Sequence, residues 1–428
     1  MAAGTEADTA TRPELPPRRT ILFLQGLATP FFAELGAALV ARGHSAHRLN
    51  FCGADHIFRG KDEDGVKQHR FTDRPGALAD FYRDLVTREG IDTLLLFGDC
   101  RPIHREACAV AEELGLTVYV FDEGYIRPGN VTMEAGGSNG FSHMPGTTAG
   151  VSELYRNAPA LDHADHPPVG TDMRRRALMD IAGHGANMVM KRAFPHYRGH
   201  RPAPLSAEAK GWFLRILRTF KYKRTDQRTT AHFELTDEPF FLVPLQLNSD
   251  YQIRMHSHYD GIMPFISEVI SSFAANAGAD QTLFFKNHPL DNGLIDYRSL
   301  IAGQVKALGL EGRVFFASGG DLDAMISRAR GVVLINSTVG YATLRLGTPM
   351  KVMGKALYDM QGLTDQRPLD GFWQNPMPPQ QRLANEFLTV VRTYTQIRGD
   401  FFSDVGIKLA ISEAIKVIEG ETPRLPAD

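Results

Sequence analysis

At 428 residues the chain exceeds what one ordinary core supports and suits two domains of roughly 150 to 200 residues each. Its 43% hydrophobic and 22% charged residues are globular values, and 47 basic against 49 acidic side chains leave a formal charge of -2, which argues against a dedicated nucleic-acid binder. No run approaches the roughly 18 consecutive apolar residues of a spanning helix. Cys52, Cys100 and Cys108 show no CxxC spacing and read as reduced, buried thiols rather than disulfides or a zinc site.

Residues 1–17 are small, polar and proline-rich, without the basic start and apolar stretch of a secretory signal, and are expected to form a disordered leader. Beyond them, short apolar runs bounded by turn residues recur at helix-length intervals: ILFLQG (21–26), TLLLFGD (93–99), TVYVFDEG (117–124), PFFLVPLQ (239–246), TLFFKNHP (282–289), RVFFAS (313–318) and GVVLINS (331–337). That alternation predicts parallel strands in α/β layers. The runs fall into two sets, so the expected fold is two doubly wound Rossmann-like domains facing a cleft, over 18–235 and 236–375. Residues 376–428 are expected as helices packing back across both.

Helix ends are legible. Thr29 caps and Pro30 opens a helix through FFAELGAALVAR, which Gly43 stops; VGYATLRL, after Asn336-Ser337-Thr338, ends at Gly347. The stretch 145 to about 235 reads as basic helices of the first domain and a linker. Within it, residues 210–224 (KGWFLRILRTFKYKR) place Phe213, Ile216, Leu217 and Phe220 at helical spacing amid Lys210, Arg215, Arg218, Lys221, Lys223 and Arg224. Such a helix either lies on anionic lipid or packs on its own domain with a solvated basic face.

Open α/β sheets bind ligands outside the carboxyl ends of their strands, and the polar residues gather there. Asp122 and Glu123 end one run; burial and mutual repulsion can raise one of the two pKa values until it serves as a general base, and Gly124 beside them permits a sharp turn. A cap or an ion pair is the alternative. Lys286 and His288 end another run, with Pro289 holding His288 out of helical geometry, a position suited to a departing phosphate. Ser337 and Thr338 precede a helix N-terminus, where they either hold a phosphate or merely cap. Gln246, Asp250, Gln252 and His256 crowd the start of the second domain, and their amides can read a base or a sugar. His256 and His258 lack a third metal ligand nearby, and the acidic stretches Asp62-Glu63-Asp64 and Asp321-Leu322-Asp323 follow no apolar strand, so chemistry without a metal ion is expected.

Taken together, FLQGLATPFF, NFCGAD, FDEGYIRPGNVTME, VPLQLNSDYQI, KNHP and NSTVGYATLRLGTP occur in an order that resembles the capsular polysaccharide proteins of the KpsS type, bacterial transferases of the keto-sugar acid Kdo. The resemblance spans about residues 20 to 375. It implies a GT-B-like pair of domains, with the first on the acceptor side and the second binding the nucleotide sugar. CMP-Kdo would be the donor substrate, no cofactor would be needed, and a phosphatidylglycerol-type lipid at the inner face of the cytoplasmic membrane would be the acceptor. The protein would then be cytoplasmic and peripheral on that membrane, with other capsule assembly proteins as partners.

By the similar logic of bacterial sialyltransferases, Asp122 would be the base with Glu123 its neighbour. His288 would bind or protonate the phosphate that Ser337 and Thr338 hold, and Arg127 would take the sugar carboxylate. Gln25 and Gly26, in the first motif, would belong to the substrate site with Gly124, Gln246, Asp250, Gln252, His256 and Lys286. The chain departs from the family at Asn50 to Asp55, which is less glycine-rich, and at Arg59, where an aromatic residue is expected. One GT-B-sized unit favours the KpsS type over the related KpsC type, which usually carries two modules. Rival readings are a transferase of another nucleotide sugar, such as CMP-sialic acid or a UDP-hexose, and a non-catalytic export or scaffold protein.

Overall fold

The computed structural model describes residues 17–159, 169–199 and 205–425. Most of the expected leader therefore lies outside the described residues. The first part of the chain runs β1 (Thr20–Phe23), α1 (Phe31–Ala41), β2 (Ser45–Asn50), α2 (Gly53–Ile57), β3 (Lys67–Arg70), α3 (Leu78–Glu89), β4 (Thr93–Phe97), α4 (Pro102–Leu114), β5 (Thr117–Glu123) and β6 (Asn130–Ala135). Three helices follow, α5 (Thr148–Asn157), α6 (Met173–Val189) and α7 (Leu205–Leu235). The second part runs β7 (Phe240–Pro244), α8 (Tyr251–Met255), α9 (Ile262–Asn276), β8 (Thr282–Lys286), α10 (Tyr297–Ala307), β9 (Val314–Ala317), α11 (Leu322–Arg328), β10 (Gly331–Leu334), α12 (Val339–Leu346) and β11 (Met350–Val352). It closes with α13 (Leu369–Phe372), α14 (Gln381–Thr395), β12 (Gln396–Arg398) and α15 (Asp404–Ile418).

The strands form two sheets, in the orders β12-β6-β5-β4-β1-β2-β3 and β11-β10-β7-β8-β9. Each contains the doubly wound order, reversing between β1 and β4 in the first and between β7 and β10 in the second. Those two crevices are where a ligand approaches the carboxyl ends of the strands. All seven runs predicted as strands are strands. The exposed or partly polar β2 and β3 carry a weaker apolar signal and escape prediction. Two strands also depart from the parallel expectation, since β6 pairs antiparallel with β5 and β12 antiparallel with β6.

Apolar side chains cover both faces of each sheet, as parallel strands require. In the first, Ile21, Phe23 and Phe121 pack with α1 and α15, while Leu22, Leu94 and Val120 pack with α3 and α4. In the second, Phe284 and Leu334 face α11, α12 and α14, and Phe285 and Val333 face α9 and α10.

Three details correct the sequence reading. Pro30 occupies the N-cap rather than the first turn of α1, and Thr29 contributes through its hydroxyl, which accepts from the Phe31 amide at 3.2 Å. The chain also crosses between the halves more than once. α6 lies on the first, where Asn187 accepts from the Ala54 amide at 2.8 Å, and β12 with α15 completes that half. α7, by contrast, belongs to the second half. Phe233 stacks on Phe284 at 4.5 Å, Asp226 pairs with Arg298, and Gly211 lies so close to the Asn292 carbonyl that a Cβ would collide at 2.6 Å. A basic helix bordering the first set of strands in sequence is thus claimed by the aromatic core of the second.

Candidate functional site

Asp122 and Glu123 end β5, and consecutive residues of a strand point to opposite faces. The doublet is therefore split. Asp122, half-buried, accepts from the Glu123 amide at 2.7 Å and from the Asn139 side-chain amide at 2.9 Å. Asn139 is held in left-handed backbone geometry (φ 52), which Asn tolerates better than most residues, and its own amide donates to the Tyr125 hydroxyl at 2.6 Å. Burial, with the nearby charges of Glu123 and Asp99 adding to it, pushes the Asp122 carboxyl up to about 7 despite those hydrogen bonds. Glu123 behaves oppositely. Burial would raise it, but ion pairs with Arg127 at 2.9 Å and with Arg176 of α6 outweigh that and hold it below its ordinary value. A carboxylate engaged by two guanidiniums is a structural anchor, so Asp122 is the member of the pair fitted to take a proton.

Two assignments around the doublet change. Arg127, expected to hold a sugar carboxylate, pairs with Glu123 and donates to the Gly124 carbonyl at 2.7 Å. Gly124 is needed for close approach as well, since a Cβ there would lie 2.0 Å from the Asn130 carbonyl oxygen of the β5–β6 hairpin.

Across the cleft, His288 follows β8. Its Nδ1 accepts from the Leu290 amide at 3.0 Å, which leaves the proton on Nε2 as a donor. Burial, reinforced by Arg127, Arg215 and Lys286, holds its pKa down at about 4, so the ring is neutral near pH 7. This favours hydrogen bonding to a phosphate over protonating it. Glu123 and Arg127 of the first half act electrostatically on His288. Lys286 is buried and its pKa lowered by that burial, with Glu234 and Asp321 acting on it.

The second crevice is tied together by side chains. Gln246 donates to Asn336 at 3.0 Å and accepts from the Asn336 amide at 3.2 Å, joining the ends of β7 and β10. Asp250 caps α8 through the Gln252 amide at 2.9 Å, and burial raises its pKa. Ser337 accepts from the Val339 amide at 3.3 Å and is in part the cap that the sequence allowed. The Thr338 side chain does not cap α12.

Gln252 and His256 reach the opposite half, lying 3.8 and 3.7 Å from the Cys100 sulfur. The His256 ring also meets Phe141 edge-on at 4.9 Å. Asp122 of the first half and Asp250 of the second both act electrostatically on Cys100, between them. Tyr125 and Tyr341 stack at 5.2 Å and join the two halves. A cavity of 890 Å³ lined by His256, His258, Lys351, Lys355 and Asp370, among others, adjoins this region but contains neither Asp122 nor His288.

Gln25 is only 4% exposed and serves as a support. Its amide nitrogen donates to Asp55 at 3.1 Å, which turns its oxygen toward Arg101. Gly26 packs on the Phe32 ring and offers its carbonyl to Arg101 at 3.4 Å. Sequence reasoning missed Arg101, Arg176 and Asn139. Asp99-Cys100-Arg101-Pro102 carried a signal, polar residues after a strand with proline opening the next helix. Arg176 and Asn139 carried none. Among the described residues no group of three or more His, Cys, Asp or Glu side chains is placed to hold a metal ion. The two acidic stretches have other work: Asp321 caps α11 and Asp323 pairs with Arg345, while Lys61 and Arg59 pair with Glu63 and Asp62.

Two doubly wound, parallel-rich α/β halves, the first carrying Asp122 and the second His288, Ser337 and Thr338 at strand ends, give the chain a GT-B-like architecture. The chain belongs to the capsule polysaccharide biosynthesis protein family, whose model matches residues 92–402. It is 34% identical over 390 residues to the capsule polysaccharide modification protein LipB of Neisseria meningitidis serogroup A, covering 90% of this chain and 92% of that one. To the capsule polysaccharide export protein KpsS of Escherichia coli it is 33% identical, over 89% of this chain and 96% of the relative. Among solved structures, the β-Kdo 2,7 transferase of Thermosulfurimonas dismutans KpsC aligns with 94% of this chain and 100% of its own, at 14% identity and a TM-score of 0.41.

Proposed function

We propose that the protein is an inverting, metal-independent glycosyltransferase that moves Kdo from CMP-Kdo to a phosphatidylglycerol-type lipid, beginning the linker of a capsular polysaccharide. The observation that carries this reading is a pair of groups at strand ends of the two halves: Asp122, a carboxyl pushed by burial up to about 7, and His288, a neutral ring with a free Nε2–H for a phosphate, on which Glu123 next to Asp122 acts electrostatically. Membership of the capsule family and the likeness to KpsS support a role in capsule polysaccharide synthesis, and the choice of Kdo follows from the KpsS-type motifs of the sequence.

In the proposed reaction Asp122 removes the proton of the acceptor hydroxyl as that oxygen attacks the anomeric carbon. The bond from that carbon to the CMP phosphate oxygen breaks, and the electron pair leaves with CMP. His288 Nε2–H and the N-terminus of α12 stabilise the departing phosphate. The sugar's ring oxygen shares the developing positive charge, so no metal is required. Asp122 stands in the first half and His288 in the second, so the two can flank the anomeric carbon from opposite sides, the arrangement a single displacement with inversion uses.

Among the described residues no helix is long and apolar enough to cross a membrane. Attachment to the inner face of the cytoplasmic membrane is assigned to the exposed apolar stripe of α7. The deciding experiment is incubation with CMP-Kdo and a fluorescent phosphatidylglycerol analogue, followed by mass spectrometry of the lipid. One added Kdo is expected. Transfer from CMP-sialic acid or a UDP-hexose instead, or no transfer from any donor, would overturn the reading.

A further inference from the structure

Arg101 lies where the strand order of the first sheet reverses. It follows β4, opens α4, and reaches back to the residues that follow β1, so its guanidinium spans the crevice between those two strands. Its Nη1 makes two long hydrogen bonds, 3.4 Å to the Gln25 side-chain oxygen and 3.4 Å to the Gly26 carbonyl. The group sits 5.7 Å from the centre of the Phe97 ring. Nε and Nη2 have no hydrogen-bond partner among the described residues, and no carboxylate among them forms an ion pair with Arg101. Asp122 and Asp55 act on it only through space.

This differs from the other guanidiniums near the cleft. Arg127 and Arg176 both pair with the Glu123 carboxylate, and Arg215 donates to the carbonyls of Pro289 and Asp291. A half-buried charge without a counterion is unfavourable unless something else repays it. The surroundings also hold it still. Asp55, itself fixed by the Phe51 amide at 3.0 Å, orients the Gln25 amide, and the Tyr197 hydroxyl lies 3.2 Å from that side chain. Gln25, Gly26, Asp55 and Tyr197 thus fix one cation at the crevice, within electrostatic reach of Asp122 and with Nε and Nη2 unused among the described residues.

We infer that Arg101 is an oxyanion-binding residue of this cleft, taking through its free N–H groups either the phosphodiester of the acceptor or the carboxylate of the transferred sugar acid. Both present two oxygens to a planar fork, the geometry in which arginine outperforms lysine. Its place in the first half, on the side of the base, favours the acceptor. The inference rests on the function proposed above.

The test is equilibrium binding of CMP, CMP-Kdo and glycerophosphoglycerol, the soluble headgroup of the acceptor, to the wild-type chain, R101Q and R101K, with a melting curve for each. CMP affinity should change less than about twofold, while one oxyanion ligand weakens at least about tenfold in R101Q and less in R101K. Loss confined to glycerophosphoglycerol identifies the acceptor phosphate; loss confined to CMP-Kdo identifies the sugar carboxylate. The inference is overturned if R101Q and R101K melt lower yet bind all three ligands like the wild type, or if the wild type binds neither oxyanion ligand. Failure of the wild type to bind CMP and CMP-Kdo would sink the proposed function. Arg101-dependent binding of glycerophosphoglycerol would in that case still uphold the inference.

Discussion

Asp122 and Glu123 are neighbours in sequence with opposite electrostatic fates. Asp122 pays for its burial with a raised pKa, and its anion is what catalysis needs, so transfer should increase as pH rises through about 7. His288, neutral above about 4, should add no falling limb in the neutral range, and a pH profile of kcat/KM checks both points. Asp122→Asn is expected to lower kcat by roughly 10² to 10⁴. The same change should stabilise the fold at pH 8. A carboxyl whose folded pKa lies above its unfolded value binds more protons when folded, so its contribution falls as pH climbs from about 4 to about 7. Melting of both proteins at pH 5 and pH 8 tests the sign: the advantage of the variant should grow with pH. Glu134 obeys the same rule. Buried and raised to about 8, with Ser142 and the Tyr125 hydroxyl as partners, it should leave the Glu134→Gln variant relatively more stable at pH 8 than at pH 5. For His288→Ala, loss of a phosphate donor predicts a fall in kcat of about 10² to 10³ with the melting temperature preserved.

At the scale of elements, α7 separates two kinds of residue that the sequence shows as one basic, amphipathic pattern. Arg215 and Arg218 face the loop after His288, donating to Pro289, Asp291 and Gly293 carbonyls, and Arg218 also pairs with Asp296 at 3.3 Å. Phe213 and Phe220, 61% and 76% exposed, face solvent with Ile216 and Leu217. Replacing Phe213 and Phe220 by Ser should therefore weaken binding to anionic vesicles severalfold without affecting the melting curve. Replacing Arg215 and Arg218 by Glu should instead loosen the His288 loop and lower transfer to a water-soluble acceptor. Vesicle sedimentation beside a detergent-free transfer assay separates the two. If the phenylalanine variant sediments with vesicles like the wild type, this helix is not the attachment surface.

For the whole molecule, activity depends on how the halves meet. The seam is narrow at Gly140, where a Cβ would lie 2.3 Å from the His256 ring. Gly140→Ala should push the second half away from Cys100 and reduce transfer at least about tenfold. Each sheet and its core would remain intact, because the change lies outside both. Small-angle scattering should show a larger radius for the variant, and an unchanged radius with full activity would refute a closed working geometry.

The sequence by itself determined the two sets of strands, because runs such as TLLLF and TLFFK are buried on both faces and leave an unbroken apolar signature. It also determined that polar residues cluster at the carboxyl ends of those strands. It could not assign β12 or α7, whose partners lie far away in the chain and whose places follow from long-range pairing and aromatic packing, and it missed β6, which folds back on β5 in a hairpin. Nor could it divide Asp122 from Glu123, since pKa follows burial and neighbouring charge. Arg127 and Arg176 together hold Glu123 down, and Arg176 is 53 residues away. Residue types and local periodicity act over a few positions, whereas ion pairing, burial and the facing of two crevices arise only once distant segments share the same space.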